Sequence, residues 1–269
     1  MDTTPRRGSP RGARCLRWLC LALLLVALAP GLAWSDGSVE EFWPEVDVWL
    51  RLSPAWRVSL FVPISENLET NYREGNLILQ ADYAWGKTGR LRAARLIDEN
   101  RVEALKAWMV RWGYLGGRSL GDEGAQYTER TIFGELHART PIKGDLLVTQ
   151  RLRVDLRWLG DDADLSSRWR YRLQVEKEIA GRRFSFVPYA NVEFYYDSRY
   201  ETVNRIRAMG GTSVVRSKRF ALEANWTYQH DTRSSVTNLD ALNLILHVFF
   251  ERRHAEKPAS ARGVAWPAD

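Results

Sequence analysis

From Phe42 to Phe250 apolar and polar residues alternate, which is the pattern of strands with one apolar and one polar face. Phe220, Leu222, Ala224, Trp226 and Tyr228 interleave with Ala221, Glu223, Asn225, Thr227 and Gln229. Trp169, Tyr171, Leu173 and Val175 interleave with Arg168, Arg170, Arg172, Gln174 and Glu176. The alternation predicts twelve strands, near 42–52, 55–65, 75–85, 89–97, 104–114, 128–139, 145–158, 167–179, 183–196, 203–216, 219–230 and 241–251. The stretch 89–97 is alanine-rich and also fits a short helix. No repeat, proline-rich linker or low-complexity block divides 34–251, and the polar tail 252–269, with Pro258 and Pro267, is expected to be disordered.

Alternation alone fits two opposite architectures. A soluble sandwich turns the apolar face inward, whereas an outer-membrane barrel turns it toward lipid around a polar lumen. The predicted strands often run 11–14 residues, longer than the five or six usual in soluble sheets and long enough to cross a bilayer at a tilt. With both termini on one side, the connections 140–144, 180–182 and 217–218 fall together and are short, while 115–127, 159–166, 197–202 and 231–240 fall opposite and are longer. Short periplasmic turns against longer outer loops are the habit of such barrels. The tight Ser53-Pro54 turn and the 66–74 connection break this sorting.

On that topology the apolar-face aromatics collect at the outer strand ends (Trp56, Tyr83, Trp85, Trp112, Tyr114, Trp158, Trp169, Tyr171, Phe194, Tyr196, Trp226, Tyr228), with a smaller inner set of Phe42, Phe184, Phe186, Phe220 and Phe250. Two girdles at headgroup level are expected of a membrane barrel. Lys106, Arg130 and Lys177 interrupt the apolar face only near strand ends, where long side chains snorkel. The expectation is an all-β, antiparallel, up-and-down transmembrane β-barrel of about 12 strands.

Charge and cysteine content place the chain further. Of the net charge of +6, the first 33 residues carry +4 through Arg6, Arg7, Arg11, Arg14 and Arg17 against Asp2, leaving +2 for the rest. Without a basic run, no nucleic-acid footprint remains. Those 33 residues read as a secretory signal peptide: the basic stretch, the apolar Trp18–Ala29, then Pro30 and Gly31-Leu32-Ala33, with cleavage expected after Ala33. Cys15 and Cys20 both lie in this leader, so the exported chain is expected to have no disulfide, no thiolate metal site and no cysteine nucleophile.

The sequence resembles the outer-membrane β-barrel family catalogued as domain of unknown function 2490. The resemblance runs from about Phe42 to Phe250 and rests on Phe42-Trp43-Pro44-Glu45, Trp112-Gly113-Tyr114, Gln150-Arg151-Leu152-Arg153, Arg168-Trp169-Arg170-Tyr171-Arg172 and Asn204-Arg205. It implies a fold and an outer-membrane location in a Gram-negative bacterium, with no activity and no catalytic residues to carry over. The extension after Phe250 departs from barrels that end on a terminal aromatic strand.

By parity the lumen receives Arg51, Arg57, Arg92, Arg111, Arg139, Arg151, Arg153, Arg157, Arg168, Arg170, Arg172, Arg205 and Arg207, against Glu45, Asp47, Asp82, Glu129, Glu135, Asp155, Glu176, Glu178, Glu193 and Glu223. These read either as a self-neutralising network holding the strands in register or as the wall of a narrow, mildly anion-favouring, porin-like channel. Counting from the turns sets Asp155 beside Arg170, Arg170 beside Glu193 and Glu193 beside Arg207, with Arg153, Arg172 and Glu223 in the same charge network. His137 and His247 face the lumen on distant strands, and no histidine is followed two residues later by serine. Gly86-Lys87-Thr88 echoes a phosphate loop, but position 81 is Ala and no strand-to-helix turn surrounds it. The expectation is a non-enzymatic pore or structural envelope protein with no cofactor and no metal. Its partners would be outer-membrane lipid and the outer-membrane assembly machinery. The alternatives are an outer-membrane enzyme acting on lipid or envelope substrates, and a soluble periplasmic lipid-binding barrel.

Overall fold

Long two-faced strands can bury one face by curling together, and this chain closes the curl completely. The computed structural model describes residues 38–86, 106–121, 128–160, 164–181, 183–217, 219–234 and 237–251. Among them the strands are β1 (Val39–Arg51), β2 (Trp56–Asn67), β3 (Arg73–Trp85), β4 (Trp108–Ser119), β5 (Thr128–Ile142), β6 (Leu146–Leu159), β7 (Ser166–Lys177), β8 (Ile179–Ala180), β9 (Ser185–Asp197), β10 (Thr202–Val215), β11 (Phe220–Asp231) and β12 (Asn238–Glu251). The two-residue β8 pairs with the start of β9 and prolongs β7. Eleven long strands, each hydrogen-bonded on both edges, therefore form one closed barrel. Closure leaves no long strand with an open edge.

Neighbouring strands run antiparallel except at the closing seam, where β1 pairs with β12 in parallel from Val39↔Leu239 to Arg51↔Glu251. An odd number of up-and-down strands brings the first and last together in the same direction. The twelve-strand, wholly antiparallel expectation is corrected here. The predicted strand 89–97 lies outside the described residues, and β3 pairs directly with β4, from Trp85↔Trp108 to Glu74↔Ser119, so nothing is interposed between them. The predicted leader 1–33 and tail 252–269 also lie outside the described residues.

Removing one strand from the count reorders the two ends of the barrel. One end carries the start of β1 and the connections 68–72, 120–127, 160–165, 198–201 and 232–237. The other carries 52–55, 86–107, 143–145, the stretch around β8, 216–219 and the end of β12. We call these the loop end and the turn end. The first hairpins, misfits in the sequence reading, now sort with the others, while 86–107 becomes the long exception at the turn end. The two ends of the described chain lie at opposite ends of the barrel, not at one. At the 143–145 turn, Gly144 and Asp145 both have positive φ, 87° and 58°, the twist that lets strands reverse tightly. Gly116 and Gly117, expected in a loop, are in β4 opposite Arg130 and Glu129.

Burial alternates strictly along β5 and β9. The inward face is polar: Glu129, Thr131, Glu135, His137 and Arg139 on β5, and Asn191, Glu193 and Asp197 on β9, are buried. The outward face is apolar, with Leu77, Leu79, Ile132, Leu152, Leu222, Leu242 and Leu244 all exposed. Outward aromatics crowd both rims. Trp158, Trp169, Tyr171, Phe194, Tyr196, Trp226, Tyr228 and Phe42 lie toward the loop end, and Trp56, Tyr83, Trp85, Trp108, Phe184, Phe186, Phe220 and Phe250 toward the turn end. Trp56, Tyr83 and Trp85 thus move to the opposite girdle from the one expected, and Phe42 moves the other way. All four shifts follow from the one strand fewer.

Candidate functional site

The interior is the candidate site, and its wall is built by period-two strands that aim every second side chain inward, many of them charged. Two acids anchor the densest part. The Asp155 carboxylate accepts from Arg153 Nε at 2.5 Å and Arg168 Nε at 3.1 Å, with Arg170 Nη1 at 3.8 Å. Glu193, with no exposed surface, accepts from Arg151 at 2.5 Å, Arg170 at 2.7 Å and Arg172 at 2.7 Å, and from the Tyr195 hydroxyl at 3.1 Å. Glu135 continues the chain through Arg153 at 2.9 Å and Arg111 at 3.5 Å, and Asp82 joins Arg57 at 2.5 Å and Arg111 at 2.6 Å. Shared carboxylates let each arginine give up water without standing unpaired.

The registers deviate from those counted from the turns. Asp155 faces Arg168, not Arg170, and Arg172, not Arg170, faces Glu193. Glu193 faces Arg207 directly. A slip of two keeps a side chain on its face, so Arg170 still reaches both acids. Arg207 does not pair with Glu193: its guanidinium donates to Gln229 Oε1 at 2.5 Å. Glu223 stands apart from the arginines. It accepts from Ser213 at 2.8 Å and from Tyr189, with Asn225 Nδ2 at 3.3 Å and His247 Nε2 at 3.3 Å.

His137 and His247 are not brought together. His137 Nε2 meets Glu135 at 2.8 Å. His247 bridges the parallel seam to Asp47 of β1 at 3.1 Å, opposite which it stands in register. Among the described residues no three His, Cys, Asp or Glu side chains gather as a metal site.

Tyr195 was not singled out by sequence, although parity with Glu193 puts it inside. Its ring is 1% exposed, and the guanidiniums of Arg170, Arg207, Arg168 and Arg205 lie 4.6, 5.5, 5.6 and 5.7 Å from its centroid. A tyrosine face attracts cations, so one buried ring gathers four arginines from β7 and β10. Trp43, also inward, carries Arg207 at 5.2 Å.

Among the described residues the interior encloses two large cavities. The one at the loop end, about 480 Å³, is lined by Arg157, Arg168, Arg199, Arg205, Arg233 and Tyr200 among others. The central one, about 550 Å³, reaches Trp49, Met109, Arg139 and His247. Glu74, Asn76, Leu115, Arg153, Arg170 and Arg207 line both. Near the turn end a small apolar cluster lies on one wall, where Val187, Val215 and Ala221 pack with Phe249 and Trp49 stacks on Phe249 at 6.4 Å, while Arg57, Asp82 and Arg139 line the opposite wall. At the loop-end rim Arg199 holds Asp197 at 2.7 Å, and the hydrogen bond raises the arginine above its ordinary pKa.

A family model described as Protein of unknown function (DUF2490) matches residues 41–240. No curated protein matches the chain. Among solved structures, the crystal structure of the beta domain of the Bordetella autotransporter BrkA is similar at 14% identity and a TM-score of 0.41, with 72% of this chain and 81% of that one covered.

Proposed function

The chain belongs to the DUF2490 family, and we propose that it is an integral outer-membrane barrel forming a narrow, anion-favouring pore. The observation that carries the reading is the inversion of polarity. Exposed leucines and aromatic rims face outward while a network of buried arginines and carboxylates faces inward. In water such an exterior would be a continuous apolar patch, which soluble proteins avoid; in a bilayer it is the required surface. The same observation weighs against a soluble lipid-binding barrel, whose apolar face would line its cavity.

The interior gives the conduction path its character. Two cavities share six lining residues, three of them arginines. Anions entering from the loop end meet guanidiniums first and the Val187, Val215 and Phe249 cluster last. Short turns face the periplasm in barrels of this class, so the loop end is the outer one. The exported chain would then need its leader removed and the assembly machinery for insertion, and its lipid partner would be the outer membrane.

The test is reconstitution. Folded protein should migrate faster than boiled protein on a detergent gel and give discrete current steps in planar bilayers. Under a potassium chloride gradient, the reversal potential should have the sign set by chloride. Heat-modifiable protein without current steps would leave a structural envelope role as the better reading.

A further inference from the structure

The loop-end cavity carries a charge excess that the network does not absorb. Eight arginines and four carboxylates line it. Asp155 and Glu193, buried on the inward face, neutralise Arg153, Arg168 and Arg170, and Glu129 holds Arg157. Asp197 and Asp231 hold Arg199 and Arg205 at the rim. Two arginines are left over: among the described residues, neither Arg207 nor Arg233 makes an ion pair with a carboxylate. Arg207 is held by neutral Gln229 and by the rings of Trp43 and Tyr195. Arg233 lies 5.9 Å from the Tyr200 ring. An arginine supported on an aromatic face keeps N–H edges free for a planar or tetrahedral oxyanion.

A second, independent observation comes from Asn204. It sits at the register shift between Val203 and Arg205, lines the same cavity and is 6% exposed. Its Nδ2 donates to Asp231 at 3.3 Å, while its Oδ1 has no partner. A buried acceptor without a donor costs free energy until something supplies one. The cavity therefore offers two unpaired cations and one unfilled acceptor within about 480 Å³, a volume in the range of small-molecule sites.

We propose that the loop-end cavity binds a phosphorylated sugar free in water, Arg207 and Arg233 taking the phosphate and Asn204 Oδ1 accepting a sugar hydroxyl. A phosphate monoester carries about −1.5 to −2 near neutrality, matching the two left-over arginines. Hydrogen phosphate has a single P–OH, on the very group the arginines hold, whereas a sugar hydroxyl stands away from the phosphate and can donate to Oδ1 while the guanidiniums keep the phosphate. The cavity opens to the barrel interior and not to the apolar exterior, so the ligand arrives from water, not as a lipid headgroup. This deepens the pore reading by naming what the vestibule selects.

Calorimetric titration of the folded, detergent-solubilised barrel tests it, with glucose 6-phosphate, inorganic phosphate and glucose as probes. Glucose 6-phosphate should bind more tightly than phosphate, and glucose should not bind. Arg207→Gln and Arg233→Gln should each weaken glucose 6-phosphate at least tenfold. Asn204→Ala should weaken it while leaving phosphate unchanged. Arg219→Gln, at the turn end, should leave affinity unchanged, and the heat-dependent gel shift verifies that each variant is folded. Equal affinities across the arginine variants, or a preference for phosphate over glucose 6-phosphate, overturn the proposal. Displacement of the sugar phosphate by phosphatidylglycerol in the micelle overturns the choice of a free ligand. The titration does not depend on conduction: binding without current contradicts only the pore, and current without binding contradicts only this site.

Discussion

Glu193 has three arginines and one tyrosine hydroxyl on its two oxygens and no exposed surface. Removing its charge leaves Arg151, Arg170 and Arg172 facing one another, a loss of about 3–5 kcal/mol for a buried pair broken on one side. Glu45 is half-buried on β1, and among the described residues it makes no ion pair. Thermal unfolding in detergent should therefore show a much larger drop in melting temperature for Glu193→Gln than for Glu45→Gln; equal drops would mean the shared acid does not hold the wall. The outward face answers to a different rule. Leu244 is near the middle of β12, whereas Leu222 is the third residue of β11, two from the rim residue Phe220. Leu244→Arg should cost ~2–4 kcal/mol, and Leu222→Arg less, because its guanidinium can snorkel to the rim. Refolding titrations into lipid vesicles would show the order, and the reverse order would misplace the membrane on the barrel. Faces were legible from sequence at this scale because side-chain direction is fixed by parity alone. The hub at Tyr195 was not, because a tyrosine on a polar face looks like any other until four arginines from two strands converge on it.

Among the elements, β4 and β10 show how glycine shapes the wall. A Cβ on Gly113 would meet Phe133 Cζ at 2.6 Å and Leu79 O at 2.5 Å. The Phe133 ring fills that space and carries the Arg153 guanidinium at 3.9 Å, so glycine on one strand lets an aromatic on the next lie across it. On β10 a Cβ at Gly211 would run into Asn225. Gly113→Ala should destabilise by about 1–3 kcal/mol, as overpacking does, and should displace Arg153 from its stack. Denaturant unfolding in detergent measures the first, and an unaltered midpoint would show that the wall yields to a methyl group. Strand existence was legible for eleven of the predicted spans because each carries its own alternation. Register was legible only within two residues. The irregularity at Glu178, which detaches β8 from β7, and the shift between Val203 and Arg205 both change the count from the turns without changing the face.

For the whole molecule, strand number decides what no local pattern can. With eleven long strands and a parallel seam, the two ends of the barrel chain lie on opposite sides. A tag placed just after the expected cleavage site and an epitope inserted after Gly121 should be labelled together on intact cells, and a C-terminal tag only after the outer membrane is breached. Labelling of both termini from one side would restore an even strand count. The closure escaped the sequence reading because 89–97 alternates like a strand, while the direct pairing of β3 with β4 depends on partners distant along the chain. The same alternation carries the central claim, that this barrel wears its apolar face toward lipid and its charges inside. Residues 34–269 contain no cysteine, so that part of the chain accepts single spin labels at each position from Phe220 to Asp231 of β11 in reconstituted bilayers. Labels at Leu222, Ala224 and Trp226 should collide with oxygen dissolved in the lipid, and labels at Glu223, Asn225 and Thr227 should not, giving a period of two. A uniform profile accessible to water-soluble relaxants along the whole strand would contradict it.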